Sequence, residues 1–410
     1  MIIERRIKDF EALEFGMFVH FGLYSIIGRG EWSLYSCNLD PVEYSKLPEQ
    51  FNPDPDWATE LVATAKAAGC KYITLTTRHH DGFSLYDASP ISDYDAPHAL
   101  AGRDLVREFV DACNAEGIVP FFYHTLLDWK VECYNTDFKK YLEYLRASIE
   151  ILCTRYGKIG GLWFDGMWDK KDADWEEDAL YSLIRKHQPD AMIINNTGLH
   201  ARGALGHIEL DSVTFERGKP QPINMGDAPK YIASEMCQIF GDHWGYASLD
   251  YNFKSLADII RDYCVCRRYG SNLLMNVGPM ANGKLRALDT AMLVTLGEWI
   301  SKFSEACVGT LPTKITVKGE DDFVMKGKDA YYLFCHSLPM GGNRHVALTS
   351  DQRENYSVNL EIDEKVKEIE WLETGDKVEF CQSGSDLKIF ATPQPYGQSV
   401  VVRIAKIVTE

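Results

Sequence analysis

One pattern limits what this chain can fold into more than any other. Up to about residue 308, short apolar runs that read as strands alternate with segments of helical period. The strand candidates are Met17–Phe21, Lys71–Thr77, Ile118–Tyr123, Gly161–Asp165, Met192–Asn195, His207–Leu210 and Asn272–Val277. Between them, Trp57, Leu61, Ala65 and Ala68 repeat on one helical face, as do Leu142, Leu145, Ile149 and Leu152. A last helix carries Leu285, Leu288, Met292, Leu296 and Trp299. Several strands are near-continuous apolar runs, as expected when both faces of a parallel sheet are covered. That leaves a (β/α)8-like (TIM) barrel or a doubly wound open sheet. No GxGxxG, and no GxxxxGK followed by Ser or Thr, comes after the first strands, which weighs against a nucleotide-binding open sheet. The strand ends favour the barrel: His20, His79-His80, Tyr123-His124 and Asp165 sit at or just after the ends of four strands. In a barrel those ends converge on one face, where active sites lie.

The pattern changes after Val308-Gly309-Thr310-Leu311-Pro312. Helical periodicity gives way to alternation, as in Val358, Leu360 and Ile362, then Ile369 and Trp371, then Val378 and Phe380. Turn signals at Gly341-Gly342 and Gly375-Asp376 separate the runs. The reading is a catalytic barrel over 1–308 and an antiparallel β-sandwich over 309–410, the latter supporting the barrel or orienting carbohydrate.

Composition excludes other classes. The net charge of −17, from 43 basic and 60 acidic residues, argues against nucleic acid or an anionic membrane as partner. No stretch approaches the ~20 apolar residues that span a bilayer. The first residues, MIIERRIKDFEALEFG, show no apolar core of a signal peptide. The eleven cysteines follow no repeating spacing and read as free thiols of a reducing compartment. The expected location is therefore cytoplasmic, although a processed secreted or periplasmic chain would look the same. Cys264-Val-Cys266 is the nearest thing to a metal pair, and no second pair follows it.

Three segments carry chemistry. In KYITLTTRHHDGF, a buried strand runs straight into Arg78, His79, His80 and Asp81, polar groups that are costly there unless they bind something or each other. Paired imidazoles holding sugar hydroxyls are one reading; a metal pair and a purely structural strand end are the others. In LWFDG, Asp165 closes an apolar strand, a place for a nucleophile, a general base or a helix cap. In LDSVTFERG, Asp211, Glu216 and Arg217 follow a short strand. Glycoside hydrolysis needs a second carboxylate beside the first, and both Glu216 and Glu235 qualify by spacing.

The motifs FGMFVHFGLYS, GEW, KYITLTTRHHDGF, LWFDG, HWGY and NLLMNVGP, in that order from Phe15 to Pro279, resemble glycoside hydrolase family 29, the α-L-fucosidases. The resemblance implies a catalytic barrel followed by a β-sandwich. It implies a retaining exo-hydrolase that releases L-fucose from a fucosylated oligosaccharide or glycoconjugate, with no metal or organic cofactor. By matching position, Asp165 is the nucleophile, and Trp163 is an aromatic beside it. His20, His79, His80 and Tyr123 bind the sugar, Glu31 and Trp32 border its pocket, and Trp244 packs against the fucose methyl. Asp211-Ser-Val-Thr-Phe-Glu216 reproduces a D-x-x-T-x-E pattern that carries the acid/base in one branch, which favours Glu216 over Glu235. One departure stands out. Many members have Asn-Asp-Arg after the fifth strand, whereas this chain has Asn195-Asn196-Thr197, with Arg202 and Arg217 as candidate substitutes. A related sugar such as a β-galactoside, and a non-catalytic fucose-binding protein, remain as alternatives. A homo-oligomer is compatible with the sequence.

Overall fold

The computed structural model describes residues 3–199, 202–224, 229–318, 321–336, 338 and 356–410. Eight parallel strands close into a barrel in sequence order: β1 (Phe15–Val19), β2 (Tyr72–Arg78), β3 (Val119–Thr125), β4 (Gly161–Asp165), β5 (Met192–Asn195), β6 (Ser212–Thr214), β7 (Ala233–Ile239) and β8 (Asn272–Val277). Closure is made by β8 pairing with β1, Leu273 opposite Phe15. The helices that fill the crossovers obey their local signals. In Leu105–Glu116, Asp104 accepts from Arg107 N at the start and Gly117 ends it at φ 70°. In Phe138–Arg155, Asp137 accepts from Lys140 N. Both are the side-chain start and glycine or polar stop expected of helix ends.

The barrel interior is filled, not hollow. Phe18, Tyr72, Phe121, Tyr123, Trp163, Ile194 and Leu274 interdigitate across it. Gly16 makes room for this: a Cβ there would lie 2.4 Å from the Tyr72 ring. Phe10, from the helix Arg5–Glu11, closes the N-terminal end with its ring 5.7 Å from both Tyr72 and Phe121.

Two strand expectations need correcting. His207–Leu210 is a turn, in which Glu209 N donates to His207 Nδ1 and Ile208 is half exposed. The sixth strand is Ser212–Thr214 instead, set against β5 by the fully buried Asp211. That carboxylate accepts from Ile193 N at 3.0 Å and is ion-paired with Arg6 at 3.0 Å and with Arg185. The seventh strand, Ala233–Ile239, gave no strand signal: its Ser, Glu, Cys and Gln break the apolar run, yet every residue of it is buried.

The chain divides into two compact units, Met1–Lys254 with Ser271–Thr295, and Ser255–Gly270 with Leu296–Glu410. The second holds two antiparallel sheets. One has the order β13 (Val366–Trp371), β16 (Arg403–Thr409), β11 (Tyr331–Cys335), β10 (Phe323–Lys326), β9 (Leu311–Pro312). The other runs β12 (Ser357–Glu361), β15 (Asp386–Phe390), β14 (Phe380–Ser383). Leu333, Ile369, Trp371 and Ile407 of the first share a core with Val358, Leu360, Leu387 and Ile389 of the second, which makes this a β-sandwich. Gly375 takes φ 74° at its turn, while Gly341-Gly342 lies outside the described residues.

Candidate active site

A cavity of about 290 Å³ opens at the C-terminal ends of the barrel strands, and several strand ends contribute to it in a definable way. Strand β1 stops at Val19, so His20 leaves the sheet at the rim. Strand β2 stops at Arg78, which frees His79 and His80 from strand alternation. Their rings lie 4.2 Å apart, both on the cavity. Tyr123 of β3 stacks on His79 at 5.6 Å. Asp165 is the last residue of β4. The turn behind it requires glycine: Gly166 has φ 99°, and a Cβ there would lie 2.7 Å from Leu127 Cβ. Glu31, Trp32, Trp163, Glu216 and Trp244 line the same cavity. A larger cavity of about 500 Å³ lies at the opposite, N-terminal end of the barrel. There Arg5 is paired with Asp9 and Lys158 with Asp190. That end of a barrel serves stability rather than chemistry.

The two carboxylates are joined by one side chain that sequence reading did not assign. Asn196 Nδ2 donates to Asp165 Oδ1 at 3.2 Å and to Glu216 Oε2 at 2.6 Å. Thr214 Oγ1 donates to Asn196 Oδ1 at 2.9 Å, which fixes the amide's orientation. The two carboxylate oxygens are therefore no further apart than 5.8 Å, the 3.2 and 2.6 Å bonds laid end to end. Asn196 stands where the family pattern would place Asp of Asn-Asp-Arg, and the signal for it was its position one residue beyond β5. Neither Arg202 nor Arg217 lines the cavity. Arg202 lies against Gly218, and Arg217 N bonds Cys237 O.

Electrostatics separates the carboxylates. Asp165 accepts from Asn196, from Trp168 Nε1 at 3.3 Å and from Tyr123 Oη at 3.3 Å. Burial raises its carboxyl above the usual range, and these donors pull it back. Glu216 accepts from the Asn196 amide; burial, then the Asp165 charge, push it up to about 7. Both carboxyls are thus raised by burial, but Asp165 faces more donors that favour its anion while Glu216 also feels the Asp165 charge, an asymmetry of the kind acid/base chemistry uses.

Glu235 is raised to about 7 as well, by burial, but it does not reach the cavity. Its carboxyl accepts from Tyr72 Oη at 2.5 Å and Trp163 Nε1 at 2.9 Å inside the barrel. It orients the Trp163 indole beneath the site.

The imidazoles are neutral and directional. Burial pushes His20 and His80 down to about 3. Asn276 Nδ2 donates to Trp244 O at 2.7 Å, so its Oδ1, 2.7 Å from His20 Nδ1, is an acceptor. Thr125 Oγ1 donates to Leu127 O, so it accepts from His80 Nδ1 at 2.7 Å. Both rings therefore carry the proton on Nδ1 and keep the Nε2 lone pair free to accept from a hydroxyl. Glu31 Oε2 accepts from Gly245 N at 2.7 Å and Trp244 N at 3.1 Å. It thereby holds the Trp244 ring over Phe18, 5.9 Å away, as an apolar wall. Besides Asn196, the sequence reading missed Trp168, three residues past Asp165, and Phe18 and Cys237, which look like core positions. Among the described residues, no group of three or more His, Cys, Asp and Glu is placed to hold a metal ion.

A closed parallel barrel with a linked carboxylate pair at its C-terminal strand ends defines the class, a glycoside hydrolase of the barrel type. A family model described as "Alpha-L-fucosidase" matches residues 4–305, and the chain belongs to that family, glycoside hydrolase family 29. The tissue α-L-fucosidase of Bos taurus is 28% identical over 369 residues, 80% of this chain and 74% of that one. The structure of α-L-fucosidase isoenzyme 1 from Paenibacillus thiaminolyticus matches with a TM-score of 0.78 at 28% identity, covering 99% of each chain. An α-L-fucosidase from Bacteroides thetaiotaomicron shares the fold, with a TM-score of 0.82 at 23% identity over 100% of this chain and 96% of that one.

Proposed function

We propose that the protein hydrolyses α-L-fucosides with retention of configuration, acting on neutral fucosylated glycans, with Asp165 as nucleophile and Glu216 as acid/base. The observation that carries this is the Asn196 amide bonded to both carboxylates. The two oxygens it bridges lie within 5.8 Å of each other, compatible with the roughly 5–5.5 Å of a retaining pair and short of the ~6.5–9.5 Å that admits a water in inverting enzymes. Asp165 attacks the anomeric carbon as Glu216 gives its proton to the leaving oxygen. A glycosyl-enzyme ester forms and the leaving group departs as an alcohol. Glu216 then takes a proton from water, whose oxygen displaces Asp165 and restores the starting anion. His20 and His80 accept from sugar hydroxyls through Nε2, and the Phe18–Trp244 wall takes the methyl of a 6-deoxy sugar. None of the eleven cysteines is in a disulfide, which supports a reducing compartment as the place of action.

Azide rescue tests the assignment. Asp165→Asn should abolish turnover of an aryl α-L-fucoside while circular dichroism stays native. Glu216→Ala should lose about 10²–10⁴-fold with a poor leaving group and, with azide, yield α-L-fucosyl azide. Rescue of Glu235→Ala instead of Glu216→Ala would move the acid/base, and faster hydrolysis of an aryl β-D-galactoside would sink the fucoside reading.

A further inference from the structure

We infer that Asn276 is the positioning residue for sugar selectivity. Its single amide holds both the His20 imidazole and the Trp244 wall, and so makes the site reject a sugar with a hydroxymethyl group where fucose has a methyl. The inference rests on the hydrolase reading above and adds what enforces the choice of a 6-deoxy sugar. Asn276 is the next-to-last residue of β8, paired with Phe18 of β1 on one side and Ile239 of β7 on the other, and is 3% exposed. Its backbone is thus fixed by two ladders. From there Oδ1 lies 2.7 Å from His20 Nδ1, and Nδ2 donates to Trp244 O at 2.7 Å. An amide offers an acceptor and a donor on one rigid plane, which suits it to hold two partners at once. The two held groups also touch each other. The His20 ring centre lies 4.6 Å from that of Phe18 and 5.2 Å from that of Trp244. Displacing the indole therefore displaces the imidazole as well.

Trp244 needs this support because it lies outside every strand and helix, in the connection between β7 and the next helix, Leu256–Tyr269. Its peptide is held from both sides instead. Glu31 Oε2 accepts its N–H at 3.1 Å and that of Gly245 at 2.7 Å, while Asn276 donates to its carbonyl. Glycines let the backbones come this close. A Cβ on Gly278 would lie 2.6 Å from Tyr246 N and 2.9 Å from Trp244 O, and one on Gly245 would lie 2.9 Å from Glu31 N. Asp250 Oδ2 accepts from Asp242 N at 2.7 Å and from His243 N at 3.2 Å, which fixes the turn that precedes Trp244. The Asn-Val-Gly of NLLMNVGP thus serves the wall: Asn276 bonds it and Gly278 makes room for it. An apolar wall discriminates against an added hydroxyl by roughly 10²-fold. It does so only while it stays packed and does not yield.

The test compares two sugars that differ at one carbon. kcat/KM is measured for an aryl α-L-fucoside and for the α-L-galactoside of the same aryl group, which carries a hydroxymethyl in place of the methyl. Wild type should prefer the fucoside, and Asn276→Ala should cut that preference about tenfold or more. Asn276→Asp keeps an acceptor for His20 Nδ1 and lacks the donor for Trp244 O. It should cut the preference as well, and it serves alone if the alanine variant does not fold. In a Trp244→Ala background the preference should already be low, and adding Asn276→Ala should lower it no further. A merely structural asparagine would depress both substrates together. An unchanged ratio in the folded variants, a further fall in the double variant, or a wild type that treats the two sugars alike overturns the assignment and leaves the hydrolase reading intact. A wild type inert on the fucoside defeats that earlier reading instead.

Discussion

At the scale of single residues, Asn196 tempers the protonation of the site against the burial that dominates it. Its N–H favours the ionised form of both carboxyls, and both are lowered by it against the burial that raises them. The active form needs Asp165 ionised and Glu216 protonated, so the acid limb of the kcat/KM profile follows Asp165 and the alkaline limb Glu216, near 7. Asn196→Ala removes a donor from each anion, so both carboxyls rise and the whole bell should move to higher pH, with a lower maximum. A profile that keeps its position would show that the amide does not govern either group. The residue was invisible to pattern reading because its role exists only when β5 and β6 lie side by side. Thr214, its orienting partner, is 18 positions along the chain. The D-x-x-T-x-E pattern now has a physical reading. Asp211 anchors the start of β6 on Arg6 and Arg185, Thr214 aims the Asn196 amide, and Glu216 accepts from that amide.

At the scale of elements, depth along a strand separates two glutamates that spacing could not. Glu216 lies two residues beyond the end of β6, at the rim. Glu235 is the third residue of the seven in β7, paired in register with Thr214, and so lies inside the barrel. Because β7 gave no apolar run, its depth could not be read in advance. Burial makes Glu235 the reverse of a stabilising anion. Its carboxyl is raised to about 7 in the folded protein against the usual 4.5 when unfolded. The neutral form is thus favoured in the fold, and the stability it contributes is complete below pH 4.5 and lost as pH rises through 7. Glu235→Gln should flatten the fall of the urea midpoint across that window. Glu235→Ala leaves the Tyr72 hydroxyl and Trp163 indole N–H without their acceptor, at a cost of about 1–3 kcal/mol for each buried donor. A midpoint for Glu235→Ala equal to that of wild type would contradict this placement.

At the scale of the whole molecule, the charge of −17 has no counterpart in the site. The cavity is walled by aromatic rings, neutral imidazoles and the carboxyls of Glu31, Asp165 and Glu216, and the fucoside proposed as its substrate is neutral. Long-range steering therefore has nothing to act on. The expected outcome is that kcat/KM for a neutral fucoside changes less than about twofold between roughly 0.01 and 0.1 M salt, over which the screening length falls from ~30 to ~10 Å. A rise of tenfold or more with salt would point to an anionic glycan as the natural substrate, held off by the surface field at low salt.

Sequence by itself determined the class, a (β/α)8-like barrel with a sandwich after it, without placing the sixth and seventh strands, and it set Asp165, His20, His79, His80 and Tyr123 at or near strand ends. Those follow from local rules: apolar runs set strands, and what sits at the end of a run sits at the barrel's rim. Tertiary structure decided the rest. It chose Glu216 over Glu235 for the cavity, made Asn196 the link between Asp165 and Glu216, and made His207–Leu210 a turn. These are facts about neighbours distant in the chain. Hydrogen bonds and ring contacts act over a few ångströms of space, and only closing the barrel brings their partners within that reach.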